Sequence, residues 1–140
     1  MSKPIDIKAL KEQRRTKAKQ FLKFKPPEGK TYYAYRIRCL AEPYEVVNRR
    51  FGTTETHVQV ELLDAINDDT VEIGEVYVVN LQHAVLRRLL EDHRPLKGKV
   101  FDVMNRGKIR GKRSTYVDYA VILQEGELNV DRLVASVFRE

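Results

Sequence analysis

The sequence predicts a mainly β fold carrying one strong helix in its body, and three observations lead there. Beyond residue 30 the hydrophobic period is two rather than 3.6. Turn-forming clusters interrupt that period at Asn48–Thr53, Asn67–Asp69, Gly74 and Asn105–Ser114. One segment, Gln82 to His93, returns to helical spacing, with Ala84, Val85, Leu86, Leu89 and Leu90 on one face and Arg94-Pro95 closing it.

Each element follows from its residues. Ile5, Ala9, Leu10, Ala18, Phe21 and Leu22 recur at three- and four-residue steps among lysines and arginines, which predicts a basic amphipathic helix over Ile5–Phe24. Gln13 to Lys17 offer nothing to bury, so this helix is expected to fold on a partner. Lys25-Pro26-Pro27-Glu28-Gly29 ends it, because proline lacks the N–H and fixes φ. A first strand, Thr31 to Val47, alternates Tyr33, Tyr35, Ile37 and Cys39 with Arg36 and Arg38, and Pro43 marks a bend within it. In strand two, Glu55–Leu63, Val58, Val60 and Leu62 face inward and His57, Gln59 and Glu61 outward. Strand three is Glu75–Leu81, strand four Gly98–Met104 and strand five Thr115–Leu123. Asn129 or Asp131 opens a short C-terminal helix reaching Phe138. The expected organisation is a basic helical arm and Pro-Pro linker over 1–30, a β domain over 31–125 and a helical tail over 126–140.

Three strands, a helix and two more strands, with the first strand long and interrupted, resemble the oligonucleotide/oligosaccharide-binding (OB) family over residues 31–123. The resemblance is one of topology, and other small barrels share the strand count. It implies a five-stranded Greek-key barrel whose loops between strands one and two and between strands four and five frame a groove. Single-stranded nucleic acid is the ligand class it implies.

Charge supplies a second line of argument. The net charge is +6, yet residues 1–30 hold ten Lys/Arg against three Asp/Glu, so the other 110 residues sum to −1. Residues 97–113 hold seven bases and one acid, whereas 61–76 hold six acids and no base. Such polarity suits a polyanion on one side. Arg106, Lys108, Arg110, Lys112 and Arg113, spaced by Gly107 and Gly111, fit a loop that grips phosphates. Arg49, Arg50 and Phe51 put a second basic turn on what the family plan makes the same side. Arg36, Arg38, His57 and Gln59 line the outward face between them, and Tyr77 and Tyr116, with Tyr32, are candidate platforms for bases. Tyr33, Tyr35 and Tyr119 share phase with apolar neighbours and are expected in the core.

The expected function is therefore non-catalytic binding of single-stranded DNA or RNA, with neither sugar favoured. An adaptor role in a replication, repair, transcription or ribonucleoprotein complex is the alternative, with protein docking or self-association through residues 5–24 and 133–138. A metal-dependent nuclease using Asp64 or Asp68 is the third reading. His57, His83 and His93 lack metal-ligand spacing, and Gly107–Lys112 lacks the spacing of a nucleotide-hydrolase loop, so no cofactor, metal or catalytic residue is expected. A single cysteine, no apolar run of membrane length and no secretory signal lead to the expectation of a cytoplasmic protein without membrane partners.

Overall fold

The computed structural model describes residues 20–136. Six antiparallel strands and two short helices follow in order: β1 (Ala34–Cys39), β2 (Tyr44–Asn48), β3 (Thr53–Ile66), β4 (Val76–Asn80), α1 (Ala84–Glu91), β5 (Val100–Arg110), β6 (Thr115–Leu123) and α2 (Val130–Ala135). The sheet order is β2-β3-β1-β5-β6, with β4 also paired to β3. β2 pairs with the first part of β3 and β1 with its last part, so the two lie end to end along one edge, with β4 on the other.

The expected first strand is thus two strands, and the break has a cause. Pro43 cannot donate to a ladder, and Glu42 turns aside to accept from the Leu96 and Lys97 backbone N–H groups at 2.9 and 2.7 Å. Those two N–H groups, with Arg94 nearby, hold the Glu42 carboxyl below its usual range despite some desolvation. A second correction concerns closure. No ladder joins β4 to β6 among the described residues, so the sheet is open rather than the closed five-stranded barrel expected from the sequence.

Alternation sorts the strands onto two faces. On the inner face Tyr35, Ile37, Cys39, Val58, Val60, Leu62, Phe101 and Val103 meet Leu86 and Leu90 of α1. On the outer face Ala34, Met104 and Ala120 receive Leu133 of α2. Asn129 opens α2 as its N-cap, the side chain accepting from the Arg132 N–H at 3.2 Å. Position 138, the expected end of this helix, lies outside the described residues.

Of the predicted N-terminal helix, residues 5–19 also lie outside the described part. Its end, residues 20–24, is extended and not helical. The Leu22 N–H donates to the Val78 carbonyl at 2.9 Å and the Val78 N–H to the Gln20 carbonyl at 3.0 Å, a parallel contact on the free edge of β4. The residues that gave the helical spacing explain the difference. Leu22 and Phe24 are both buried in the main core, which alternation achieves and a helix turn would not. Phe24 meets the rings of Tyr35 and Tyr119 edge-on at 5.2 and 6.4 Å, so the described end of the arm is part of the body. Tyr35 then ties this segment to the β3–β4 turn: its hydroxyl accepts from the Lys25 N–H at 3.1 Å and donates to Asp68 at 2.6 Å.

Candidate nucleic-acid interface

The expected loop Arg106–Arg113 is a two-stranded ribbon. β5 and β6 remain paired out to Arg110 opposite Thr115, leaving only Gly111–Ser114 as the turn. The alternation through Ile109 and Tyr116 sustains the ladder, and a bulge at Arg106 sets the ribbon's angle. Gly107 at this bulge has φ of +88°, a region that disfavours side chains, and its N–H donates to Asn105 Oδ1 at 2.8 Å. At the tip a Cβ on Gly111 would stand 3.1 Å from both the Ser114 carbonyl oxygen and the Tyr116 ring. Lys108, Arg110, Lys112 and Arg113 are exposed. Ile109 and Tyr116 are directly opposite and share one face, 37% and 42% exposed; Lys108 and Arg110 take the other.

Arg36 and Arg106 are placed differently. Arg36 donates through Nε and Nη2 to the two carboxylate oxygens of Asp102 at 2.6 and 2.9 Å, and also to the Gly126 carbonyl at 2.7 Å. Asp102 is fully buried and also holds Arg132 of α2. Arg36 therefore fastens the C-terminal helix to the outer face. Arg106 is bound by Asp118, with both side chains largely buried. Arg38 is half-exposed and pairs with Glu61 at 3.0 Å, a surface contact worth ~0–1 kcal/mol and readily exchanged.

The remaining candidates divide likewise. Arg49 and Arg50 are exposed in the β2–β3 turn, and Phe51 is 69% exposed with the Arg50 guanidinium 5.4 Å from its ring centre. This turn leaves the sheet at the Cys39 end of β1, and the ribbon leaves at the Ala34 end, so the register does not send both basic turns out from one end. Gln59 is exposed between them. His57 is 7% exposed, covered by the edges of Phe21 and Tyr44 at 5.4 and 6.0 Å, with Glu55 3.0 Å from its Nε2. Tyr77 is not a platform: it stands opposite Val60, shares its inner face and is 2% exposed, its hydroxyl accepting from the Glu72 N–H. Tyr33, Tyr35 and Tyr119 are buried as their phase requires.

A feature with no signal in the sequence lies under residues 21–26. There the unpaired gap between β4 and β6 leaves a cleft of about 740 Å³, lined by that segment and by Asn48, Glu55, Asn80, His83, Leu86, Asn105 and Tyr119. Asn105 Nδ2 donates to the Phe24 carbonyl at 3.0 Å and so pins the segment to the ribbon's base. Glu55 accepts from Asn48 and Asn80 at 3.2 and 3.3 Å; these bonds and His57 hold its carboxyl below the usual range.

Among the described residues no group of three or more His, Cys, Asp or Glu stands close enough to hold a metal ion. Burial works against the charge of Asp68, but bonds from Thr70 and Tyr35 outweigh it and keep its carboxyl below the usual range. Cys39 is fully buried, and burial pushes its thiol up to about 12. No helix among the described residues is long and apolar enough to cross a membrane. The chain matches no protein-family model, no curated protein and no solved structure.

Proposed function

We propose that this chain is a binding module for single-stranded nucleic acid, gripping phosphates with the β5–β6 ribbon. The observation that carries the reading is a contrast among the cations. Arg36 and Arg106 are held by buried carboxylates, whereas Lys108, Arg110, Lys112 and Arg113 are exposed with no carboxylate in reach among the described residues. Four unneutralised charges on a projecting ribbon repel one another, and a polyanion relieves that repulsion while releasing its own counterions. Tyr116 beside the tip offers a base a stacking surface, and Phe51 with Arg50 offers another at the far turn. Arg38 and Gln59 are exposed on the outer face near the β2–β3 turn, and α2 covers that face between them and the ribbon.

An OB-like plan is part of the proposal. Taking β1 with β2 as one bent strand, the ladders β1–β3, β3–β4, β1–β5 and β5–β6 are four of the five that such a barrel requires, and α1 falls between the third and fourth strands of that plan. Residues 20–24 sit where the fifth ladder would run.

Competition among single-stranded DNA, single-stranded RNA and duplex of equal length tests the function. The expected result is single strands displacing a labelled single strand at least tenfold more effectively than duplex. Absence of binding to every polymer at low salt overturns it.

A further inference from the structure

We propose that a bound single strand, on its way between the β5–β6 ribbon and the β2–β3 turn, crosses the inner side of the molecule along residues 21–25, with Lys23 meeting a phosphate and Phe21 stacking a base. The inference rests on the nucleic-acid reading and adds to it a route and two contact residues that neither basic turn contains. Three observations point to this side. Leu133 of α2 fills the outer face over Ala34, Met104 and Ala120, so the outer way is covered near the ribbon's base. Lys108 stands opposite Val117, which packs against the main core, so Lys108, and Arg110 by alternation, face the inner side. The segment after residue 23 crosses that same side: Phe24 meets the ring of Tyr119, and Pro27 Cγ lies 3.4 Å from where a Gly107 Cβ would stand.

The backbone of this segment selects which side chains it presents. It is extended and bonded to Val78 of β4, and its period of two sends Leu22 and Phe24 into the core and Phe21 and Lys23 to solvent. Phe21 is held against His57, 5.4 Å between ring centres, yet stays 44% exposed, which leaves ring surface for a base. The cleft beside the segment reaches from Asn105, at the ribbon's base, to Asn48. Asn48 in turn shapes the β2–β3 turn, its Oδ1 accepting from the Arg50 and Phe51 N–H groups at 3.1 and 3.4 Å. Phe21 and Lys23 line the same cleft, so the two basic turns share a border on this side although they leave opposite ends of the sheet. Among the described residues of that lining, Lys23 and Lys25 are the lysines and Glu55 is the one carboxylate, already bonded by Asn48, Asn80 and His57. The excess of positive charge favours a phosphate over the lip.

The experiment is a titration of the ¹⁵N-labelled full chain with a single-stranded dT 20-mer at low salt, followed by the backbone amide signals of residues 21–25, of residues 108–113, and of Arg38 and Gln59. The first two sets are expected to shift together with one affinity while Arg38 and Gln59 stay still. Lys23→Gln is expected to lower the slope of log affinity against log salt by about 0.7, the share of one phosphate contact, whereas Arg38→Gln leaves it unchanged. Phe21→Leu keeps an apolar cover over His57 but removes the ring, and should weaken binding about fivefold or more, with Phe21→Tyr restoring it. If residues 108–113 shift while 21–25 stay still, or if Arg38 and Gln59 shift in their place, the route is overturned and the ribbon reading survives. A slope unchanged in Lys23→Gln overturns the route as well. If none of the three sets shifts, the route and the nucleic-acid reading fall together.

Discussion

Replacing Lys108, Arg110, Lys112 and Arg113 together by glutamine removes four exposed charges that no carboxylate neutralises among the described residues. For a single strand each phosphate contact contributes about 0.7 to the slope of log affinity against log salt, so the change removes about 2.8. If Arg49 and Arg50 also contact phosphates, the parent slope is about −4.2 and that of the variant about −1.4. Raising salt from 50 to 200 mM then weakens the parent about 300-fold and the variant about sevenfold. Fluorescence anisotropy with a labelled single-stranded 20-mer at stepped salt reads both slopes. The substituted side chains are exposed, so thermal stability should stay within about 0.5 kcal/mol, and a melting curve checks this. Parallel slopes for parent and variant would refute the reasoning, even if the variant bound more weakly.

Three further outcomes follow from the same structure. Arg36→Gln breaks a bidentate bond to a fully buried carboxylate that keeps Arg132, so the loss should fall near 3 kcal/mol, or ~12 °C in Tm, with nucleic-acid affinity unchanged; weakened binding at an unchanged Tm would return Arg36 to the interface. Asp68 has its folded-state pKa below the unfolded value of about 3.9, so its stabilising contribution is complete above about pH 4 and is lost as pH falls through the lower folded value. Asp68→Asn should therefore flatten the acid limb of urea midpoints measured from pH 2 to 6, and identical limbs would remove Asp68 from the account. Cys39, buried and with its thiol pushed up to about 12, should resist iodoacetamide at pH 8 until the protein is unfolded; labelling of the native protein within minutes would contradict that burial.

Much of the fold was legible because period-two alternation reports directly on a half-buried sheet. Ile37, Cys39, Val58, Val60 and Leu62 lie in the core as their phase required, and β6 has the expected bounds. In the segment 20–24, Phe21, Leu22 and Phe24 satisfy a helical spacing as well as an extended one, and the choice is made by the free edge of β4, which is remote in sequence. The ribbon looks like a loop in the sequence because its glycines signal turns, although Gly107 serves a bulge and only Gly111 serves the tip. The sequence offers Tyr77 as a candidate platform, and only the pairing with Val60 shows that it faces inward. The cleft had no local signal at all, since Asn80, Glu55 and Tyr119 meet only after the sheet forms.

The division between structural and available cations was beyond the sequence for a related reason: it depends on register. Arg36 stands opposite Asp102 and Arg38 opposite Glu61, so their positive charge meets a carboxylate across the ladder. Arg106 is held by Asp118, whose own ladder partner is the neighbouring Gly107. Beyond the bulge the pattern changes. Lys108 faces Val117 and Arg110 faces Thr115, and neither partner can neutralise a charge. A slip of one residue in the β5–β6 pairing would exchange the two faces of the ribbon. Gly107 and Asn105, which set the bulge, therefore determine which cations the protein keeps for itself and which it leaves for a polyanion, although neither residue carries charge.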